Sequence, residues 1–329
     1  MTNRIVFNFI RSLFLLSFVT SSFLISCTEN QTLPTMVIEE EKMLDSIPSA
    51  SGMVIKDTMA YIVCDDATGI YQLNLRNYKQ YKIPIHGLAD TQYRVPKAIK
   101  QDFESGTLMD WNGKQYLLAF GSGSSRIARD SLLLMNMADF EDQKILSLHS
   151  FYKKLREITN TDTIQWNVEG AAVVAPYLFL CNRGNNMIMK IQTDDFMNYL
   201  FDTANVFPSV DYHRVQLPSI DGKQARLSGA CALNSGDLLF AASVEDTPDW
   251  VSDGPILGSF VCLYSTKANT VIASYLLHDK NWQPLKEKLE TLEVLNNPGS
   301  DLELLTLSDN DAGASKLFRV RIKGLPASK

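Results

Sequence analysis

The sequence predicts an all-β ring of blades, a β-propeller, on three observations. First, one pattern returns five times along the 329 residues: a small or acidic residue, then a short apolar strand, a second apolar run ending in turn and acid residues, and a third strand. The marks are Ser51-Gly52-Met53-Val54, Glu104-Ser105-Gly106-Thr107, Glu169-Gly170-Ala171-Ala172, Ser228-Gly229-Ala230-Cys231 and Glu290-Thr291-Leu292-Glu293. Second, their spacings are 53, 65, 59 and 62 residues, a degenerate period built from strands, as radial repeats of sheets require. Third, the last unit lacks a fourth strand, and Thr35 to Leu44 is an extended segment with no unit of its own. Pairing that segment with Lys316 to Ile322 closes the ring and leaves only short, protected sheet edges. Five blades follow from five marks; a sixth is the alternative if the long second unit hides one.

The third unit shows the elements most clearly. Gly170 to Val174 reads as strand one, Tyr177 to Cys181 as strand two and Met187 to Ile191 as strand three, with a turn at Asn182-Arg183-Gly184-Asn185. Elsewhere, third strands fall at 70–75, 131–135, 260–264 and 316–320, and fourth strands at 81–85, 144–148, 212–217 and 271–276. Three connections read as short helices. Ser150 to Ile158 places Phe151, Leu155 and Ile158 at helical spacing, Asp194 to Phe201 opens on two Asp, and Asn281 to Leu289 is similar but carries Pro284.

The first 27 residues read as an address. Arg4 and Arg11 precede an apolar run from Leu13 to Ser26, of signal-peptide length and short for a membrane span. The run ends in Leu24-Ile25-Ser26-Cys27, which resembles the lipobox of bacterial lipoproteins, with Cys27 as the lipid acceptor. Residues 28–34 then form a polar tether and 35–329 one propeller domain, anchored by lipid at the cell envelope, periplasmic or outer-membrane, and monomeric. Net charge is −6, and losing Arg4 and Arg11 with the leader lowers it to −8. With a pI near 5.3, the chain lacks the concentrated basic face that nucleic acid requires. Cys64, Cys181, Cys231 and Cys262 all lie in apolar runs and read as small core residues, not as disulfide or zinc partners.

A propeller converges equivalent positions on one tunnel. In register, Ser51, Glu104, Glu169, Ser228 and Glu290 surround one mouth, and the ends of the second strands add Asp65, Asp66, Ser122, Asn182, Arg183, Glu245, Asp246, Asp309 and Asp311. Packed carboxylates raise one another's pKa or demand a cation. Calcium suits an oxygen-rich rim of Asp65, Asp66, Glu169, Asp309 and Asp311, because it takes six to eight oxygens in loose geometry. Lys97, Lys100 and Arg183 offer opposite charge, or a seat for a phosphate or carboxylate. A structural reading stands beside this one, in which acids at blade mouths bond backbone amides of the next blade. Glu39-Glu40-Glu41 reads as the solvated face of an edge strand, the Gly121 to Ser125 run as a flexible hairpin loop, and Asp309 to Gly313 as a hairpin turn. His86, His149, His213 and His278 fall in or after fourth strands, far from the tunnel, which disfavours a Ser-His-Asp triad. The loop from Asp246 to Gly254 presents Trp250 to a ligand or covers blade 4.

Asn167-Val168-Glu169-Gly170-Ala171-Ala172-Val173-Val174 with Asn182-Arg183-Gly184-Asn185 resembles the bacterial proteins grouped as domain of unknown function 6929. So do Lys100-Gln101-Asp102-Phe103-Glu104, the Gly-Ser-Gly-Ser of blade 2, Glu245-Asp246-Thr247-Pro248, the run from Asp253 to Ser259, and Ser308-Asp309-Asn310-Asp311. The likeness spans roughly 45–325. It implies a propeller distantly similar to phytase-like and esterase-like propellers, and so calcium and phosphoester or ester hydrolysis at the mouth. Thr291, Ser51 and Ser228 depart from the acid-rich pattern of a multi-calcium site. Two functions are therefore expected. One is an envelope module that binds a small polar or phosphorylated ligand, or an envelope protein, through Lys97, Lys100, Ser122, Asn182, Asn185, Glu245, Asp246 and Trp250. The other is a calcium-dependent hydrolase in which Glu104, Glu169 and Glu290 act with Arg183. A purely structural scaffold is the third reading.

Overall fold

Strand β1 (Thr35–Leu44) opens the fold, and four antiparallel blades follow in chain order. Blade 1 is β2 (Ala50–Lys56), β3 (Met59–Cys64), β4 (Gly69–Asn74) and β5 (Gln80–Pro84). Blade 2 is β6 (Phe103–Trp111), β7 (Lys114–Gly121), β8 (Ser131–Asn136) and β9 (Asp139–Ser147). Helix α1 (His149–Thr159) leads to blade 3: β10 (Val168–Val174), β11 (Tyr177–Asn182), β12 (Met187–Gln192) and, after helix α2 (Thr193–Leu200), β13 (Val210–Arg214). A separate two-stranded hairpin, β14 (Ser219–Ile220) with β15 (Lys223–Gln224), precedes blade 4: β16 (Arg226–Ala232), β17 (Leu238–Glu245), β18 (Ile256–Ser265) and β19 (Thr270–Leu276). Blade 5 is β20 (Lys288–Asn296), β21 (Leu302–Asp309), β22 (Ser315–Lys323) and then β1. The computed structural model describes residues 35–88, 94–124, 127–201, 206–247, 254–279, 281–297, 301–309 and 314–326. The leader 1–27 with Cys27, the tether 28–34, Trp250 and Asp311 lie outside the described residues.

The ring closes as the sequence predicts. β1 runs antiparallel to β22, with Thr35 opposite Lys323 and Leu44 opposite Ser315. Glu39, Glu40 and Glu41 do not simply face water: Arg321 Nε lies 2.5 Å from Glu39, Arg319 3.5 Å from Glu40 and Lys316 3.1 Å from Glu41. Tyr78 of blade 1 donates to Glu40 at 2.6 Å, tying the closing strand to the first blade. Five blades form, so the six-blade alternative falls; α1 and its flanking turns account for the long spacing after the second mark.

The core sits between blades. Both faces of each sheet are covered, so alternate residues of one strand enter different cores. In β11, Leu178 and Leu180 pack toward blade 2, with α1, Trp166 and Phe120, while Phe179 and Cys181 pack toward blade 4, with Phe240 and Phe260. Cys64, Cys181, Cys231 and Cys262 are free and buried, the core residues expected. Two of the three expected helices form. Asn281 to Leu289 does not: Asp279 accepts from the backbone N–H of Asn281 (2.8 Å) and Gln283 (3.0 Å), holding a turn, Pro284 has no N–H to give a helix, and Lys288 already starts β20.

Each inner strand carries a β-bulge at the same place, and β20 has a second irregularity between Val294 and Asn296. The extra, unpaired residues are Ser51, Glu104, Glu169, Ser228 and Glu290, which are the five sequence marks. A bulge kinks its strand and re-aims one side chain. Beside it the neighbouring inner strand comes very close. A Cβ on Gly52 would lie 2.7 Å from the backbone nitrogen of Gly106, and one on Gly229 would lie 2.8 Å from the carbonyl oxygen of Glu290. Gly52→Ala is therefore expected to destabilise the fold by about 1–3 kcal/mol, read as an earlier urea midpoint with unchanged slope. An unchanged midpoint would mean that the ring does not depend on this contact.

Candidate functional site

The five bulged residues share one mouth of the tunnel, and the two serines differ in role from the three glutamates. Ser51 Oγ donates to the carbonyl of Phe103 at 2.5 Å, and Ser228 Oγ to that of Leu289 at 2.5 Å. Each acceptor directly precedes the bulged glutamate of the next blade, so serines staple the ring. Glu169 and Glu290 bind side chains instead.

Strand alternation supplies those side chains. The residue two before each bulge lies on the same side of its strand. Asn167 Nδ2 donates to Glu169 at 2.6 Å, Lys288 Nζ lies 2.9 Å from Glu290, and Asp102 crowds Glu104. A third layer comes from the ends of the second strands. Arg183, which opens the turn after β11, reaches Glu169 at 3.1 Å and Glu245 at 2.5 Å; Lys288 lies 3.6 Å from Glu245. Glu169, Arg183, Glu245, Lys288 and Glu290 thus form one buried chain of charges across blades 3, 4 and 5.

A second group spans blades 1 and 2. Asp65, Asp102 and Glu104 each offer a carboxylate oxygen within 4.8 Å of the others. The Lys100 ammonium bonds both Asp65 and Asp102, the latter at 2.6 Å. Asp102, buried and in the left-handed region at φ 57°, also takes Ser122 Oγ at 2.5 Å and Arg129 at 3.0 Å. Ser122 is fully buried, so the Gly121 to Ser124 run is packed structure beneath Asp102, not a flexible loop. Beside this group Arg94 pairs with Asp66 at 2.6 Å.

Six carboxylates (Asp65, Asp102, Glu104, Glu169, Glu245 and Glu290) face four bases (Lys100, Arg129, Arg183 and Lys288). Burial and this surplus set the protonation. Glu290 is pushed up from 4.5 to about 7 by burial, with Glu169 adding and Lys288 opposing. Asp65 rises from 3.8 to about 6, again through burial, against the pull of Lys100. Glu104 rises well above the carboxylate range through burial and the charges of Asp102, Asp65 and Glu169. Burial works against the charge on Lys100, but Asp65 and Asp102 outweigh it and hold the ammonium above its ordinary range. Deeper in, Glu293 of β20 is pushed up to about 8 by burial.

The residues singled out in the sequence divide accordingly. Glu104, Glu169, Glu290, Arg183, Lys100, Glu245 and Asp65 come together at the mouth. Asp66 is held by Arg94, and Asp309, at the end of β21 opposite Lys288, adds charge that keeps Arg94 protonated. Asn182 is fully buried and spent on structure: it accepts from the Asn167 amide at 2.6 Å and donates to Gln165 and Asn185. Asn185 and Glu245 border a cleft outside the ring, Asp246 pairs with Lys223 at 2.9 Å, and Lys97 is exposed. Asp102, Asn167, Lys288 and Arg129 were missed. The first three stand two residues before a mark, and the two-residue period would have found them; Arg129 sits in a turn with no such signal.

Fold and site together define a five-bladed β-propeller with a polar, acid-rich tunnel mouth. The chain belongs to the family of unknown function DUF6929, whose model matches residues 46–322. No curated protein matches the sequence. Similar solved structures include the glutaminyl cyclase of Myxococcus xanthus, 12% identical, covering 89% of this chain and 98% of that one at a TM-score of 0.50. The endo-arabinase of Bacteroides thetaiotaomicron is 11% identical, covering 88% and 99%, with a TM-score of 0.46. At these identities the likeness is one of fold.

Two outcomes test the electrostatics. Arg183→Ala leaves Glu169 and Glu245 buried without their shared partner and should cost about 3–5 kcal/mol of stability by urea unfolding; a loss below 1 kcal/mol would mean the pair is solvated. The second concerns pH. A folded carboxylate pKa above the unfolded value means the folded chain binds more protons between the two, so stability falls as pH rises through that window. For Glu290 the window runs from 4.5 to about 7. Glu104→Gln removes one such group, so its melting temperature should exceed the parent's at pH 8 and converge with it near pH 4. A variant less stable at pH 8 would contradict the assignment.

Proposed function

We propose that this protein is a ligand-binding propeller of the bacterial cell envelope, held by lipid at Cys27, whose tunnel mouth takes a small polar ligand through hydrogen-bond donors or a cationic group. The observation that carries this reading is the carboxylate surplus at the mouth. A ring held together only by ion pairs would balance its charges; here acids outnumber bases and burial leaves Glu104 and Glu290 short of compensation. A ligand bearing an ammonium or several hydroxyls supplies the missing donors. A phosphorylated ligand finds less support at this place, because Arg183 is already committed to Glu169 and Glu245.

Calcium is a poor fit to the same residues. Asp65, Asp102 and Glu104 are spaced for a cation, but the Lys100 ammonium lies among them and bonds two of the three, Arg129 takes a further oxygen of Asp102, and Glu169 belongs to Arg183. Among the described residues, six to eight free oxygens are not on offer. The hydrolase reading keeps one specific support: Glu290, near 7, matches what a general acid or base needs at neutral pH. In that reading Glu290 or Glu104 moves the proton and no metal is required.

The test is a thermal melt of the purified protein with calcium, with chelator, and with a panel of amines, amino acids and polyols. The expected result is no shift between calcium and chelator, and a rise with at least one donor-rich solute that Glu290→Gln abolishes without loss of fold. A rise of several degrees with calcium would overturn the metal-free reading. Turnover of nitrophenyl esters or phosphates that is lost in Glu290→Gln would replace binding with hydrolysis.

A further inference from the structure

Outside the ring of bulged residues, between blades 3 and 4, lies a cleft of about 510 Å³, within the range of small-molecule sites. Its floor is rigid. Asn186, buried and in the left-handed region at φ 50°, donates from Nδ2 to the carbonyl of Ala225 at 3.0 Å and accepts at Oδ1 from the amide of Leu227 at 3.1 Å. Its own carbonyl takes the amide of Val215 at 2.9 Å. One wall is the β14–β15 hairpin, the only described sheet that belongs to no blade.

The lining has one chemical character. Arg214 at the end of β13 and Lys223 on β15 bring two cations from separate elements, and Arg226 at the start of β16 adds a third that already has an interaction of its own. The one carboxylate in the lining, Glu245, is already bound by Arg183 at 2.5 Å. Lys223 also pairs with Asp246 at 2.9 Å, but both side chains are about half exposed, so a ligand displaces that pair at small cost. In a chain of net charge −6 the cleft is therefore locally positive. Most of the other polar side chains in the lining are amides, Gln165, Gln216 and Gln224 with Asn185 and Asn186. Amides donate and accept, as sugar hydroxyls do, and guanidinium groups match carboxylate and phosphate with paired hydrogen bonds.

We propose that this cleft binds an acidic saccharide, its carboxylate or phosphate against Arg214 and Lys223 and its hydroxyls against the glutamines. The proposal does not rest on the reading of the tunnel mouth, since none of these side chains belongs to it.

Calorimetric titration of the purified protein with glucuronate, glucose 6-phosphate, glucose and inorganic phosphate tests it. Glucuronate or glucose 6-phosphate should bind, which of the two separating a carboxylate from a phosphate ligand. Glucose should not bind, and the affinity should fall as salt rises. Replacing both exposed cations, Arg214→Gln with Lys223→Gln, should weaken binding about tenfold or more while the melting temperature stays put. The proposal fails if neither acidic sugar binds, if the double variant keeps full affinity, or if inorganic phosphate binds as tightly as the sugars, which would make the cleft a simple anion patch.

Discussion

The fold depends on how closely five inner strands pass one another around a single axis. Where Gly52 meets Gly106 and Gly229 meets Thr291, no Cβ fits between the backbones. Beside these approaches every inner strand bulges at the same place. The bulge spends one residue outside the ladder and turns its side chain to the mouth. Ring assembly and site construction are thus one event. Where the bulged residue is serine it bonds the neighbouring blade; where it is glutamate it enters the charge network.

That network is costly to assemble, and its composition reflects the cost. Buried charges persist only when paired, and the pairing here is incomplete. Arg183 bridges blades 3 and 4, Lys288 bridges 4 and 5, and Lys100 bridges 1 and 2, so each base also fastens one blade to the next. Glu104 is the group left over, and Glu290, although it meets Lys288, is buried beside Glu169; both are held toward the protonated form at pH values where free glutamate is ionised. A ring built for stability alone gains nothing from them, which is the physical reason to look for a ligand there.

Much of this was legible in the residues. The marks located the bulges although nothing in a period of about 60 residues names a bulge, because a small or acidic residue takes the bulged position in every blade and a Gly follows it in three of the five, two of them where the next strand comes closest. The closing strand was legible because Thr35 to Leu44 had no other partner. The partners of the acids were not. Lys288 and Asp102 look like ordinary charges before a strand until the register places them over Glu290 and Glu104. The segment 281–289 misled because alternating charges with leucines satisfy a helical period, while Pro284 and the Asp279 turn decide otherwise. Glu39, Glu40 and Glu41 looked solvated because their partners, Arg321, Arg319 and Lys316, come from the far end of the sequence.

The most direct measurement is a carbon-detected NMR titration of the glutamate side-chain carboxyls, assigned by single Glu→Gln substitutions. Glu290 should titrate near 7 and Glu104 well above the ordinary carboxylate range. If both titrated at the ordinary value of 4.5, the mouth would be solvated and balanced, and its carboxylates would be structural ion-pair partners only.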